Sequence, residues 1–190
     1  MASVAGICNS ALIKLGATTI MSLTEGSRNA NLCLEQYDKL RDDLLRAHVW
    51  NFATRRTRLA QLAISPAFGF ARAYQLPADW LRTVTVHDND AGAGAVRYRI
   101  EGRRILTDAS ELWLKYIARI EDANEMDASF REALAWKVAI DLAVPITQST
   151  TALREAEEGF RRALVKARSV DAIEDYPDTL PESDWVALRH

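Results

Sequence analysis

The most concentrated chemistry in this chain belongs to arginine. Arg55, Arg56 and Arg58 stand together in one segment, and Arg97, Arg99, Arg103 and Arg104 in a second. A guanidinium is a planar fork of donors that fits a carboxylate or a phosphate. The cluster therefore reads as a nucleic-acid patch or as a surface that meets acids on a neighbouring copy. The second reading, as a subunit interface, is favoured because aromatic groups able to stack on bases are sparse beside these arginines. A second candidate is the acidic stretch from residue 171 to 190, where Pro177 and Pro181 forbid a continuous helix. Ile173, Tyr176, Leu180, Trp185, Val186 and Leu188 are spread through it, an apolar content unusual for a solvated acidic tail. It reads either as a strap folded over its own helices or as a binding arm whose aromatic anchors enter a partner.

Bond-making chemistry has little to stand on. His48, His87 and His190 lie in unlike contexts, and no HExxH, G-x-S-x-G or Walker-type phosphate loop is present. The AGAGA run over 91–95 lacks a third glycine and opens no helix, so a loop tip is expected. Two acids about 5–9 Å apart could cut a glycan, as a virion-associated peptidoglycan hydrolase would. Asp42 with Asp43 and Glu157 with Glu158, however, sit on charged helix faces and read as solvated. Cys8 and Cys33 fall on apolar helix stripes without a Cys-x-x-Cys or a histidine pair, so neither zinc nor any other cofactor is expected, and both read as small core residues.

With 190 residues, 48% of them hydrophobic, the chain can bury a core of its own. A net charge of −2 argues against a generally basic surface and so against a tight sequence-independent grip on DNA, which leaves a helical DNA-binding module as a lesser alternative. No apolar run approaches the length of a membrane span, and the first residues lack the pattern of a secretory signal, so synthesis in a cytoplasm is expected.

The elements that must carry these residues follow from periodicity. Val4, Ile7, Cys8, Ala11, Leu12 and Leu15 predict a helix over 4–15, closed by Gly16. Tyr37, Leu40, Leu44 and Ala47 stripe a second over 27–48. Trp50 and Phe52 then sit two apart, a strand-like step that would bolt this helix to a following sheet. Alternation at Tyr74 and Leu76, Val84 and Val86, Val96 to Ile100 and Leu112 to Ala118 predicts one small antiparallel sheet within 52–120, with a hairpin turn at Glu101 and Gly102. A largely apolar helix is expected over 127–144, stopped or kinked at Pro145, and an amphipathic one over 151–169. The expected fold is α+β and predominantly helical: a four-helix bundle with the sheet inserted between helices two and three, spanning 1–170, and an arm over 171–190.

One run goes further. Arg41, Leu44, Leu45, Trp50, Asn51, Phe52 and Ala53 form R-x-x-L-L-x-x-x-x-W-N-F-A, which resembles a signature of the head-to-tail adaptors of short-tailed bacteriophages, the tail tubular protein A type. The segments CNSALIKLGATTIMSLTEG, YQLPADWLR, IEGRRILTD to LKYIARIED, and DASFREALAWKVAIDLA are similar to the same family in the same order, and together they reach to about Pro145. The resemblance implies a structural virion protein at the head-tail junction, made in the host cytoplasm and assembled as a dodecameric ring. Its partners would be the portal protein, a tail nozzle protein of the tail tubular protein B type, tail fibres and further copies of itself. Double-stranded DNA would pass through the channel without specific binding. In that family the closing segment reaches the portal, which favours the arm reading for Ile173, Tyr176, Leu180, Trp185, Val186 and Leu188. The match is loosest there, so no contact carries over residue by residue.

Overall fold

A computed structural model describes residues 1–92 and 96–174. Four α-helices, a 3-10 turn and six strands follow in the order α1 (Val4–Lys14), α2 (Arg28–Arg46), the turn (Asn51–Ala53), β1 (Thr54–Arg58), β2 (Arg72–Gln75), β3 (Trp80–His87), β4 (Tyr98–Glu101), β5 (Arg104–Thr107), β6 (Trp113–Ala118), α3 (Ala128–Thr147) and α4 (Thr150–Ile173).

Local chemistry sets the helix ends. The Ser3 hydroxyl accepts from the Gly6 amide at the start of α1. At its end Gly16 takes φ +65°, and the amides of Gly16 and Ala17 return to the carbonyls of Ile13 and Leu12. That Schellman closure needs a left-handed residue, which glycine supplies without steric cost. Ser27 caps α2 and donates its own hydroxyl to Glu25, whose carboxylate also accepts from the Met21 and Ser22 amides. These donors hold the Glu25 carboxyl below the ordinary carboxylate range. Asp127 caps α3 through the amides of Ser129 and Phe130. Pro145 neither stops α3 nor marks its end, because the helix continues to Thr147 and closes on Gln148 at φ 53°.

The expected four-helix bundle with a single small sheet between helices two and three is not the fold. The chain forms two three-stranded antiparallel sheets, α3 and α4 come after the strands at the C-terminal end, and with 45% helix and 19% strand it is a mixed structure. One sheet has the order β1-β6-β3 and the other β2-β5-β4. The alternating runs interleave: each sheet takes one early strand, one late strand and a third from between them. Periodicity marks a segment as extended but is silent on which segment it pairs with. The helices are not a bundle because α4 packs chiefly on α3, whereas α3 also meets α1 and α2.

Between α2 and β1 the chain departs from the expected strand-like junction. Residues Asn51–Ala53 form the 3-10 turn, and the Trp50 and Phe52 rings lie 5.1 and 5.0 Å from the Phe130 ring. Phe130 belongs to α3, so the two rings dock on a helix, while the end of α2 is itself tied to the first sheet by Arg46 donating to the Leu81 carbonyl and Arg82 to the Arg46 carbonyl. The Trp50 indole donates to the Leu44 carbonyl, which closes the end of α2. Leu44, Leu45, Trp50 and Ala53 are all buried, so this run builds the core and presents little of itself to a partner.

Candidate functional site

The seven arginines do not converge on one patch. Arg55, Arg56 and Arg58 lie on β1, an edge strand of the first sheet, while Arg99 and Arg104 lie on β4 and β5 of the second, with Arg97 and Arg103 flanking them. Several are used at home. Arg55 pairs with Glu125 at 3.1 Å, Arg58 pairs with Glu111, and Arg103 donates to the carbonyls of Pro77 and Ala78. Arg97 sits 5.0 Å above the Phe70 ring, and Arg99 is 3.9 Å from Glu101. Arg104 pairs in register with both Gln75 and Glu101. Arg103 closes the hairpin with Gly102, which takes φ +60° in the two-residue loop between β4 and β5.

Of the expected arm, only its first residues can be placed. Helix α4 continues to Ile173, so residues 171 to 173 are helical. Ile173 is exposed, whereas Asp171 is buried. The Asp171 carboxylate accepts from the Asn51 amide at 2.8 Å and lies 3.2 Å from the His48 ring, and its carbonyl accepts from the Asn51 side chain. One acid of the expected arm is thus the anchor that fastens the end of α4 to the Trp50 junction. Tyr176, Leu180, Trp185, Val186 and Leu188 lie outside the described residues, as does His190.

Of the acid pairs, Glu157 and Asp43 are exposed and Glu158 keeps much of its side chain in solvent, as expected, whereas Asp42 is half-buried. Asp42 bridges Arg41 and Arg119 at 2.8 Å each, which ties α2 to the end of β6, and Asp43 meets Lys137 of α3 at 2.7 Å. Glu158 faces Arg161 and Arg162 on its own helix. Asp42, Asp43 and Glu158 each face a base rather than a second acid. Cys8 and Cys33 are both buried, one on α1 and one on α2. The hydrogen bond with Cys33, and burial after it, push the Cys8 thiol far up, so it stays protonated. Among the described residues no group of three or more His, Cys, Asp or Glu could hold a metal ion, and no helix is long and apolar enough to cross a membrane.

A polar concavity lies on the first sheet, a space of about 500 Å³ whose lining includes Arg56, Thr85, His87, Asp90, Trp113 and Lys115. Strand register builds it. Lys115 is the direct partner of Arg56 on one side and of Thr85 on the other, and in the next row Trp113 is the partner of Arg58 and His87. Partners two residues apart along a strand share a face, so both rows look out the same way. Sequence reasoning picked out Arg56 but missed Lys115 and Trp113. Lys115 stands among Trp113, Leu114, Tyr116 and Ile117, where it reads only as the polar step of an alternating strand.

No protein-family model matches the chain, and no curated protein matches it.

Proposed function

We propose that this chain is a structural adaptor of a short-tailed bacteriophage, forming a dodecameric ring that joins the portal to the tail nozzle and extends the channel through which DNA is ejected. The observation that carries the proposal is the ordered set of five segments resembling the tail tubular protein A type, headed by the Arg41 to Ala53 run. One feature of the geometry is compatible with it. Ring closure needs two unlike faces on each subunit that complement one another. Large apolar groups are exposed at separate places: Ile64 and Phe68 in the loop between β1 and β2, and Ile173 at the end of α4. Exposed apolar groups of this size are the usual anchors of protein contacts.

In this reading Ile173 opens the portal-binding arm, which continues through Tyr176, Leu180, Trp185, Val186 and Leu188 and docks on the portal protein. Arg55, Arg56, Arg58, Arg97, Arg99, Arg103 and Arg104 are the interface candidates toward neighbouring copies. The tail nozzle protein and fibres attach below the ring, and DNA passes through without specific contacts. The protein acts at the head-tail junction of the virion and catalyses no reaction.

The test is to mix the purified chain with the portal of a short-tailed phage and examine the product by electron microscopy. A ring stacked on the portal is expected, together with its loss when the chain is cut after Glu174. The cut belongs there and not at 170, because removing Asp171 would release α4 from the Trp50 junction and confound binding with unfolding. Portal binding that persists in full without residues 175–190 refutes the arm.

A further inference from the structure

We infer that the concavity on the first sheet is a binding site for a phosphate group. This inference is independent of the adaptor reading. Strands β1 and β6 carry a pairing that a sheet ordinarily avoids. Arg56 and Lys115 are direct cross-strand partners, and like charges so placed repel. Neither has a carboxylate within ion-pair distance among the described residues, although nearby Arg55 and Arg58 each have one. Lys115 is half-buried, which weakens the solvent screening that would otherwise make the repulsion negligible.

Apart from the exposed Asp90, the surroundings add donors rather than acids. Thr85, the other partner of Lys115, brings a hydroxyl to the same row, and Trp113 forms part of the wall. The indole N–H of Trp113 is buried with no hydrogen-bond partner among the described residues, an unmet donor in the same wall. Its closure from solvent keeps it out of the set that reaches a ligand from the open side.

Charge and shape choose phosphate over carboxylate. Two full positive charges match the −1.5 to −2 of a phosphomonoester near neutral pH, and its tetrahedral oxygens can take a guanidinium, an ammonium and a hydroxyl at once. A carboxylate offers one charge and two coplanar oxygens. Asp90 in the lining opposes any anion, and the second charge of a phosphate on Arg56 and Lys115 offsets that repulsion. Long duplex DNA is disfavoured by the net charge of −2 over the whole chain. The ligand class is therefore a small phosphate ester or a single phosphate of a flexible strand.

The test titrates the full chain with inorganic phosphate and follows backbone amide shifts by NMR, with melting temperature as a second readout. Saturable shifts confined to β1, β6 and β3 are expected, with a rise in melting temperature that tracks occupancy. Arg56→Gln and Lys115→Gln should each weaken phosphate at least tenfold while leaving the ligand-free protein as stable as before or more so, because the cross-strand repulsion is relieved. Arg58→Gln, whose charge is already matched by Glu111, should bind phosphate as the parent does. A short single-stranded oligonucleotide displaced by phosphate would assign the source to a nucleic acid strand, and phosphate binding without oligonucleotide binding would assign it to a free monoester. Non-saturable shifts, unchanged affinity in Lys115→Gln, or saturation by a peptide of residues 175–190 but not by phosphate would overturn the inference.

Discussion

Tyr37 and Tyr116 look alike by burial, yet their hydroxyls stand in opposite situations. The Tyr37 hydroxyl is buried with no hydrogen-bond partner among the described residues, whereas that of Tyr116 donates to Asp79 at 3.1 Å. A buried polar atom that lost its water and gained nothing is a cost, while one bonded to a carboxylate contributes about 1.5–3 kcal/mol. Tyr37→Phe is therefore expected to leave stability unchanged or raise it by about 1 kcal/mol, and Tyr116→Phe to lower it by about 2 kcal/mol. Urea denaturation of the two variants checks both signs. The cysteines make a third case at this scale. Cys8 and Cys33 are fully buried, and the Cys8 thiol is held protonated, so neither should react with a thiol reagent until the chain unfolds. Modification followed by mass spectrometry, with and without urea, measures that.

Between elements, the contact of α3 with α4 turns on Gly159. A Cβ there would lie 2.6 Å from the Trp136 ring, a rigid group that cannot swing aside as a long side chain can. On an isolated helix Gly159→Ala would be stabilising by about 1 kcal/mol, because alanine is the better helix former. Here overpacking should win and the variant should lose about 1–3 kcal/mol. A gain in melting temperature would show that α4 can slide off Trp136. The far end of α4 is held by Asp171, which receives the Asn51 amide and the contact from His48. Asp171→Ala strands a buried donor and should cost about 2 kcal/mol. Hydrogen exchange should show the loosening at the last turns of α4 and in the Asn51–Ala53 turn.

Across the whole molecule Tyr37 and Tyr116, which with Tyr74 are the buried tyrosines among the described residues, also set the response to alkali. Burial pushes both phenols up to about 12, above the ordinary value of about 10 for the unfolded chain. A raised folded value means that the native state holds its protons more tightly, so this contribution is complete below pH about 10 and is lost as pH rises through about 12. The midpoint of urea unfolding should fall across that window, and less steeply in Tyr37→Phe. A flat profile would place both phenols in contact with water. The assembly reading belongs to this scale as well, since a ring is a property of surfaces and not of any one side chain.

How much could be read in advance differed with range along the chain. Four helices are legible because a helix repeats within itself: the stripe at Val4 to Leu15, the caps Ser27 and Asp127 and the stop at Gly16 all act within a few residues. The hairpin at Gly102 is legible for the same reason. Strand β1, TRRTR, carries no apolar alternation and reads only as an extended basic segment; its place in a sheet is fixed by β6, more than fifty residues away. The division of six strands into two sheets, the docking of Trp50 and Phe52 on Phe130, and the burial of Asp171 likewise depend on partners distant in sequence. So does the pairing of Arg56 with Lys115. Local periodicity and capping are intramolecular forces of short reach, so the order of residues by itself determined the helices, their capped starts, the stop at Gly16 and the tight turn, but not the C-terminal ends of α3 and α4. Register, sheet membership and the neighbours of a charge are set by which distant surfaces bury together, and only the tertiary structure decided those.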